Sequence, residues 1–327
     1  MIGKEKTQLS LLDSVFNTRT KKSRTDELLK KIDGWVDWHG LERVCEPAYA
    51  FGIGRPSIPI VVAIKCLILQ YLYDLSDPEL EDALIDRLSF QRFTRLTFDS
   101  DIPDYSTIWR FRERLIHAGL YKALFEAIIC QLETRGYVVR KGTIVDATLV
   151  KAARKHHARP EGEPESPQQD REATTTKRGN KVYYGYKGHI GMDQESGIIR
   201  EVSFTTASVH DSQEFANLLA GDERAIFGDK GYANDEVKRH CRRRGIYYGI
   251  LDKGYRGRPK LSPRQKHRNR IKSKIRSAVE RPFAHFKHLM GYTASRYVTL
   301  ARNGFHFISL CMIENIRTGV SIAGLKS

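Results

Sequence analysis

Several features of an exported or membrane-bound protein are missing from this chain of 327 residues. Its five cysteines, Cys45, Cys66, Cys130, Cys241 and Cys311, are scattered, odd in number and include no Cys-x-x-Cys pair. That pattern argues against a disulfide frame and a cysteine-built zinc site, and fits reduced thiols in the core of a cytosolic protein. The N-terminus is polar and lacks the apolar run of an export signal. One membrane-like stretch, 58–75, carries Lys65, Gln70 and Asp74 and reads as a buried core helix, so no membrane partner is expected. Internal repeats are absent. Acidic residues are in deficit, 39 Asp and Glu against 55 Lys and Arg, for a net charge of +16. Such a field attracts phosphate backbones and speeds encounter with them, although basicity alone does not single out nucleic acid.

The length and a hydrophobic share of 40% allow a sizeable core and two domains. Residues 1–136 read as a helical bundle. Leu28, Leu29, Ile32, Trp35 and Val36 recur at helical spacing behind Ser23 and Asp26, which are spaced as a capping box. Asp77 followed by Pro78 marks another helix start, and a face from Tyr121 to Leu132 stops at Gly136. Inside this bundle Ser106 is placed to cap a short helix in which Arg110, Arg112 and Arg114 flank Trp109 and Phe111. Arginine reaches phosphates and guanine edges, so this segment is a candidate DNA-recognition helix; a solvated helix face with aromatic core residues is the plainer reading.

From Tyr137 onward the period changes. The pattern predicts strands over 137–150, 182–192, 197–206, 225–229 and 246–251, with helices over 211–219, 234–244 and 271–289. Residues 151–181, poor in aliphatic side chains and punctuated by Pro160, Pro164 and Pro167, predict a mobile loop. The expected architecture is α/β: an N-terminal helical bundle, then residues 137–327 as a mixed sheet with helices on its faces.

Three acids stand out. Asp146 lies in the apolar run Gly142-Thr-Ile-Val-Asp-Ala-Thr-Leu-Val150, Asp229 closes Ala225-Ile-Phe-Gly-Asp229, and Glu280 lies in a basic predicted helix. A carboxylate among apolar β-branched neighbours is costly unless something compensates it, and divalent cations shared between such acids would do so. Arg276, Glu280 and Lys287 follow at offsets that put them on one helical face, where an ordinary ion pair between Arg276 and Glu280 is the plain alternative. His210 and Asp211 form a candidate pair to orient a ligand or phosphate, or else cap the next helix. Lys187 and His189, two apart on a strand, would face DNA beside Asp146 or simply line a solvated strand face. Between Lys253 and Arg276 the charged side chains are all basic, Lys266, Arg268 and Arg270 among them, which suggests a track for phosphates leading to the acids.

On these residues the chain resembles the DDE transposases of bacterial insertion sequences, whose catalytic domain is ribonuclease-H-like. Arg276-Ser-Ala-Val-Glu280 followed by Lys287 fits the R-x3-E-x6-K signature around the last acid. Gly185-Tyr-Lys-Gly-His189, Thr206-Ala-Ser-Val-His-Asp211 and Asp229-Lys-Gly-Tyr232 look like the group-five family. The resemblance spans roughly Pro56 to Ile316, with one departure: Ser273 stands where a tyrosine is expected. It implies Asp146, Asp229 and Glu280 as catalytic, metal-holding acids for two Mg2+ ions, with Mn2+ as a substitute. It also implies double-stranded DNA as partner, both terminal inverted repeats and target, bound by a homo-oligomer in a bacterial cytoplasm, near the nucleoid. The expected reaction is phosphodiester cleavage followed by joining of the freed 3′-hydroxyl to target DNA. A nuclease of the same fold that cuts without joining, and a non-catalytic repressor-like protein, are the alternatives.

Overall fold

The computed structural model describes residues 23–49, 57–97, 100–153, 170–254 and 260–326. Two compact units emerge. One comprises Met1–Arg135 with Met312–Ser327, the other Gly136–Cys311. The end of the chain therefore groups with the first unit, whereas the sequence pattern assigned all of 137–327 to the second.

In the first unit the helices are α1 (Arg24–Trp35), α2 (Trp38–Cys45), α3 (Ile60–Leu72), α4 (Asp77–Asp86), α5 (Leu88–Thr94), α6 (Tyr105–His117) and α7 (Leu120–Thr134). The membrane-like stretch is α3, and every one of its residues is buried. Burial extends even to Lys65, whose ammonium is 2.6 Å from Asp33 and 4.7 Å from the centre of the Trp38 ring. Among the described residues no single helix is long and apolar enough to cross a membrane. Ser23 caps α1 as its spacing predicted, but the other two starts shift. Ser76 caps α4, in a reciprocal box with Glu79, and leaves Asp77 as the first helical residue. Asp104 caps α6 through the Thr107 amide at 2.6 Å, in place of Ser106. Of the cysteines, Cys130 is exposed and the other four are buried, so the reading of all five as core thiols fails at Cys130.

The second unit is built on a six-stranded mixed sheet: β1 (Thr143–Lys151), β2 (Thr174–Arg178), β3 (Lys181–Asp193), β4 (Ile199–Thr206), β5 (Ala225–Gly228) and β6 (Tyr247–Ile250). The path runs β2-β3-β1-β5-β6, and β4 also pairs with β3. β1 is antiparallel to β3 and parallel to β5, which is parallel to β6. This antiparallel trio continued by two parallel strands is the ribonuclease-H-like arrangement. β2 lies inside the stretch expected to be a loop. Its polar side chains TTTKR give no apolar alternation, yet they pair with β3 from Thr174↔Gly185 to Arg178↔Lys181. Residues 154–169, the rest of that expected loop, lie outside the described residues.

The helices of this unit are α8 (Asp211–Glu214), α9 (Asp235–Arg244), α10 (Pro263–Arg276) and α11 (Glu280–His288), and α12 (Leu300–Lys326) begins in it. The single helix expected over 271–289 is thus two helices joined by a 3-10 turn at Ser277–Val279. α10 starts earlier than expected because Ser262 and Gln265 form a capping box with Pro263 at the first position, where proline's missing N–H costs nothing.

Two glycines of the 185–189 segment have steric reasons. At Gly185 φ is +154°, and a Cβ would lie 2.0 Å from the Val150 carbonyl oxygen. At Gly188 a Cβ would meet the Phe307 ring at 2.4 Å, so the bare backbone lets α12 pack flat on β3. Val145, Phe215, Leu218, Ile226, Tyr232, Cys241 and Ile250, which include residues of β1, β5 and β6, form a buried apolar cluster.

Candidate active site

Register brings the first two acids together. β1 and β5 run parallel with Val145 opposite Gly228, so the next residues along, Asp146 and Asp229, emerge side by side where that pairing ends. Asp229 lies just past β5, at the cap of a 3-10 turn, Lys230–Tyr232, and accepts from the Lys230 amide at 2.7 Å. The sequence had placed it on the strand itself.

Arg276, the last residue of α10, reaches across to Asp146 with Nη1 2.9 Å from Oδ2, while Nη2 is 3.4 Å from Glu280 Oε1. One guanidinium thereby links two of the three acids. Asp146 is mostly buried, its side chain 17% exposed, whereas that of Glu280 is 65% exposed. Burial pushes the Asp146 carboxyl up to about 6; Arg276 and the Ala147 amide oppose this, and Asp229 and Asp211 add to it. Asp211, the first residue of α8, receives Lys187 Nζ at 2.9 Å, and the same ammonium donates to the Val209 carbonyl at 2.7 Å.

The donors suit a hard divalent cation: Asp146, Asp229, Asp211 and Glu280 offer only carboxylate oxygens, and burial makes Asp146 resist ionisation despite Arg276 beside it. Among the described residues, however, no three His, Cys, Asp or Glu side chains converge as a ready metal cage. Arg276 and Lys187 supply the positive charge next to these acids.

Several side chains expected to meet DNA are placed elsewhere. Arg112 is 2% exposed and donates to both oxygens of Asp77, at 2.8 and 2.9 Å, so it is a buried structural cation. Arg110 is exposed beside Trp109, and Arg114 lies 5.2 Å over the Tyr49 ring. Lys187 is occupied with Asp211. His189 is wholly buried against Thr205 at 3.1 Å, and burial depresses it to about 4, so it is a neutral interior group. His210 caps α8, its Nδ1 accepting from the Ser212 amide at 3.3 Å, the capping arrangement that the sequence offered as one of its two roles. Lys266, Arg268 and Arg270 are exposed on α10, although Arg268 also pairs with Asp252 at 3.3 Å. Lys272 from the same basic run is buried and donates to the Ile250 carbonyl at 2.7 Å. Lys287 is exposed on α11. Arg256 and Arg258 lie outside the described residues. Tyr232, which the sequence reading quoted only within Asp229-Lys-Gly-Tyr232 and gave no role, is buried three residues after Asp229, and its hydroxyl has no hydrogen-bond partner among the described residues.

Asp146 within β1 and Asp229 just past β5 thus lie next to each other on parallel strands, and Arg276 joins Asp146 to Glu280 at the start of α11. Residues 139–316 match the family described as "Transposase DDE domain", and residues 17–114 match a second transposase family, "Transposase domain (DUF772)". The first match spans over half of the chain, and the chain belongs to the DDE transposase family. Among solved structures, the cryo-EM structure of the piggyBac transposase synaptic complex with hairpin DNA is similar at a TM-score of 0.42 and 12% identity, over 92% of this chain and 74% of that one.

Proposed function

We propose that this DNA transposase cuts phosphodiester bonds at the terminal inverted repeats of its own element and joins the freed 3′-hydroxyl to target DNA, with Asp146, Asp229 and Glu280 as its catalytic acids. The observation that carries this reading is the parallel register of β1 and β5, which sets Asp146 beside Asp229, with Arg276 tying Asp146 to Glu280. These three acids would hold two Mg2+ ions, with Mn2+ as a substitute. Bound there, such ions activate the attacking oxygen and stabilise the leaving one.

The chain's own residues do the rest. Arg276 holds Asp146 in place, and the exposed Glu280 carboxylate, held among the described residues only by its 3.4 Å bond to Arg276, would turn toward the strand acids. Arg276 and Lys287 offer donors to the phosphate being cut, and phosphoryl chemistry of this kind depends chiefly on such positioning and charge. Lys266, Arg268 and Arg270 on α10 track the phosphate backbone, while Arg110 and Arg114 on α6 contact the terminal repeats. We place the chain in the group-five insertion-sequence family, as a homo-oligomer on double-stranded DNA in a bacterial cytoplasm, on the strength of its sequence motifs.

The test is a cleavage and strand-transfer assay on terminal-repeat DNA with Asp146→Ala, Asp229→Ala and Glu280→Ala. Each variant is expected to bind the repeats and to lose both activities. Full cleavage by all three, or by wild-type protein in chelator, would refute the assignment, and cleavage without strand-transfer products would make the protein a nuclease.

A further inference from the structure

Tyr232 is 1% exposed, and its hydroxyl has no hydrogen-bond partner. An unpaired buried hydroxyl costs about 1–3 kcal/mol, so its persistence calls for a reason. Packing explains the ring: it lies 6.2 Å from the Phe215 ring within the buried apolar cluster. Packing does not explain the oxygen, because phenylalanine would fill the same space without the cost.

The surroundings of that oxygen are acidic. Asp211, Asp146, Asp229 and Glu214 all act on the phenol, Asp211 the most strongly of the four, and burial with these charges drives its proton affinity upward, so it stays a donor. Glu214 is engaged elsewhere, with Ser203 at 2.5 Å and Asn217 at 3.1 Å. Asp211 is held through one oxygen, Oδ1, by Lys187. Its other oxygen, Oδ2, lies over Gly231, 3.4 Å from where a Cβ would stand, next to Tyr232 in the chain. The anchored carboxylate of Asp211, from α8, thus lies against the turn that follows Asp229, and that turn carries the unused donor of Tyr232.

We propose that Asp211 is a fourth carboxylate of the Asp146–Asp229 site and that Tyr232 is its positioning residue, donating its hydroxyl to the Asp211 carboxylate when a divalent cation draws the acids together. The inference rests on the metal-dependent reading of the site. Tyr232 touches neither substrate nor cation; it fixes the direction of Asp211 from below while Lys187 fixes it from the side. Neighbours of this kind that orient a metal-holding group typically change metal affinity 10–100-fold when removed.

The experiment uses the full-length protein, follows thermal unfolding over a Mg2+ titration, and reads cleavage at each Mg2+ concentration. Tyr232→Phe is expected to unfold at the same temperature as wild type, or higher, in chelator, and to need about tenfold more Mg2+ for half of the Mg2+-induced stabilisation and for half-maximal cleavage. Asp211→Asn should shift the midpoint in the same direction, and the double variant should be no worse than Asp211→Asn alone, since the hydroxyl acts through that carboxylate. Phe215→Leu, which disturbs the ring and not the hydroxyl, should leave the midpoint in place. A wild-type midpoint in Tyr232→Phe, or a lowered unfolding temperature in chelator with an unchanged midpoint, overturns the inference and reduces the tyrosine to core packing. If wild-type protein itself shows no Mg2+-dependent shift and cuts in chelator, the metal reading fails, an outcome distinct from failure of Tyr232 alone.

Discussion

Replacing Asp146 by asparagine should stabilise the metal-free protein at alkaline pH and leave it unchanged in acid. The carboxyl is buried and its proton is held to about 6 in the folded state, against 3.8 for the ordinary group. A raised carboxyl gives stability that is fully present below the unfolded value and is lost as pH rises through the folded one. Between those values folding costs progressively more, and above about 6 the ionised side chain subtracts about 3 kcal/mol from stability. Asparagine has nearly the same shape and cannot ionise, so the variant should gain up to that amount at pH 8 and nothing near pH 3. His189 acts in the opposite sense: held near 4 by burial, it loses stability as pH falls from its ordinary 6.5. The wild-type profile therefore blends the two, and the difference between variant and wild type isolates Asp146. Denaturant unfolding in chelator at a series of pH values provides the measurement. A variant no more stable than wild type at pH 8, or an advantage that does not change with pH, would show that Arg276 compensates the charge fully and that no unmet need for positive charge exists at this site.

Arg112→Ala should destabilise the first unit by about 3 kcal/mol or more, because it removes the buried cation that donates to both oxygens of Asp77, and should leave the salt slope of DNA binding unchanged. Chemical denaturation and binding isotherms at several salt concentrations check both halves. Neutralising Lys266, Arg268 and Arg270 together should lower the slope of log K against log salt by roughly 3 if all three touch phosphates, at about 0.9 each. Lys272→Ala should instead cost stability, since its ammonium satisfies the Ile250 carbonyl in the interior.

Much of the site could be read from the sequence because burial makes an acid conspicuous. An aspartate inside Thr-Ile-Val-Asp-Ala-Thr-Leu-Val has no solvent to ionise into, so its presence on a strand already implies compensation. What remained illegible was which cation answers which anion. At 100° per residue, Arg110 and Arg114 lie close together around α6 while Arg112 points to the far side, so the three could never have shared a DNA-facing stripe. The period thus held a clue to Arg112, but its partner, Asp77, lies 35 residues away and no local pattern names it. β2 was missed for a different reason: its side chains are mostly exposed and polar, and it is held by backbone pairing with β3. The start of α10 was masked by prolines that suggested irregular chain, although Ser262, Pro263 and Gln265 make a favourable helix opening.

The pairing of Lys187 with Asp211 and of Arg276 with Asp146 changes how the basic composition is to be understood. A surplus of positive charge seen from sequence suggests a surface turned outward to phosphate. At the site, two cations are instead turned inward onto the acids, where they offset the repulsion between carboxylates that the strand register forces together. Arg276 donates to a buried acid through one nitrogen and to an exposed one through another, so any cation settling among the acids competes first for this guanidinium's partners. Displacement would free Arg276 for a phosphate oxygen at the moment the acids acquire another counter-charge. On the proposed function, the same side chain would hold the acids together before substrate arrives and bind the substrate afterward, which a lysine, lacking the planar fork, would do less well.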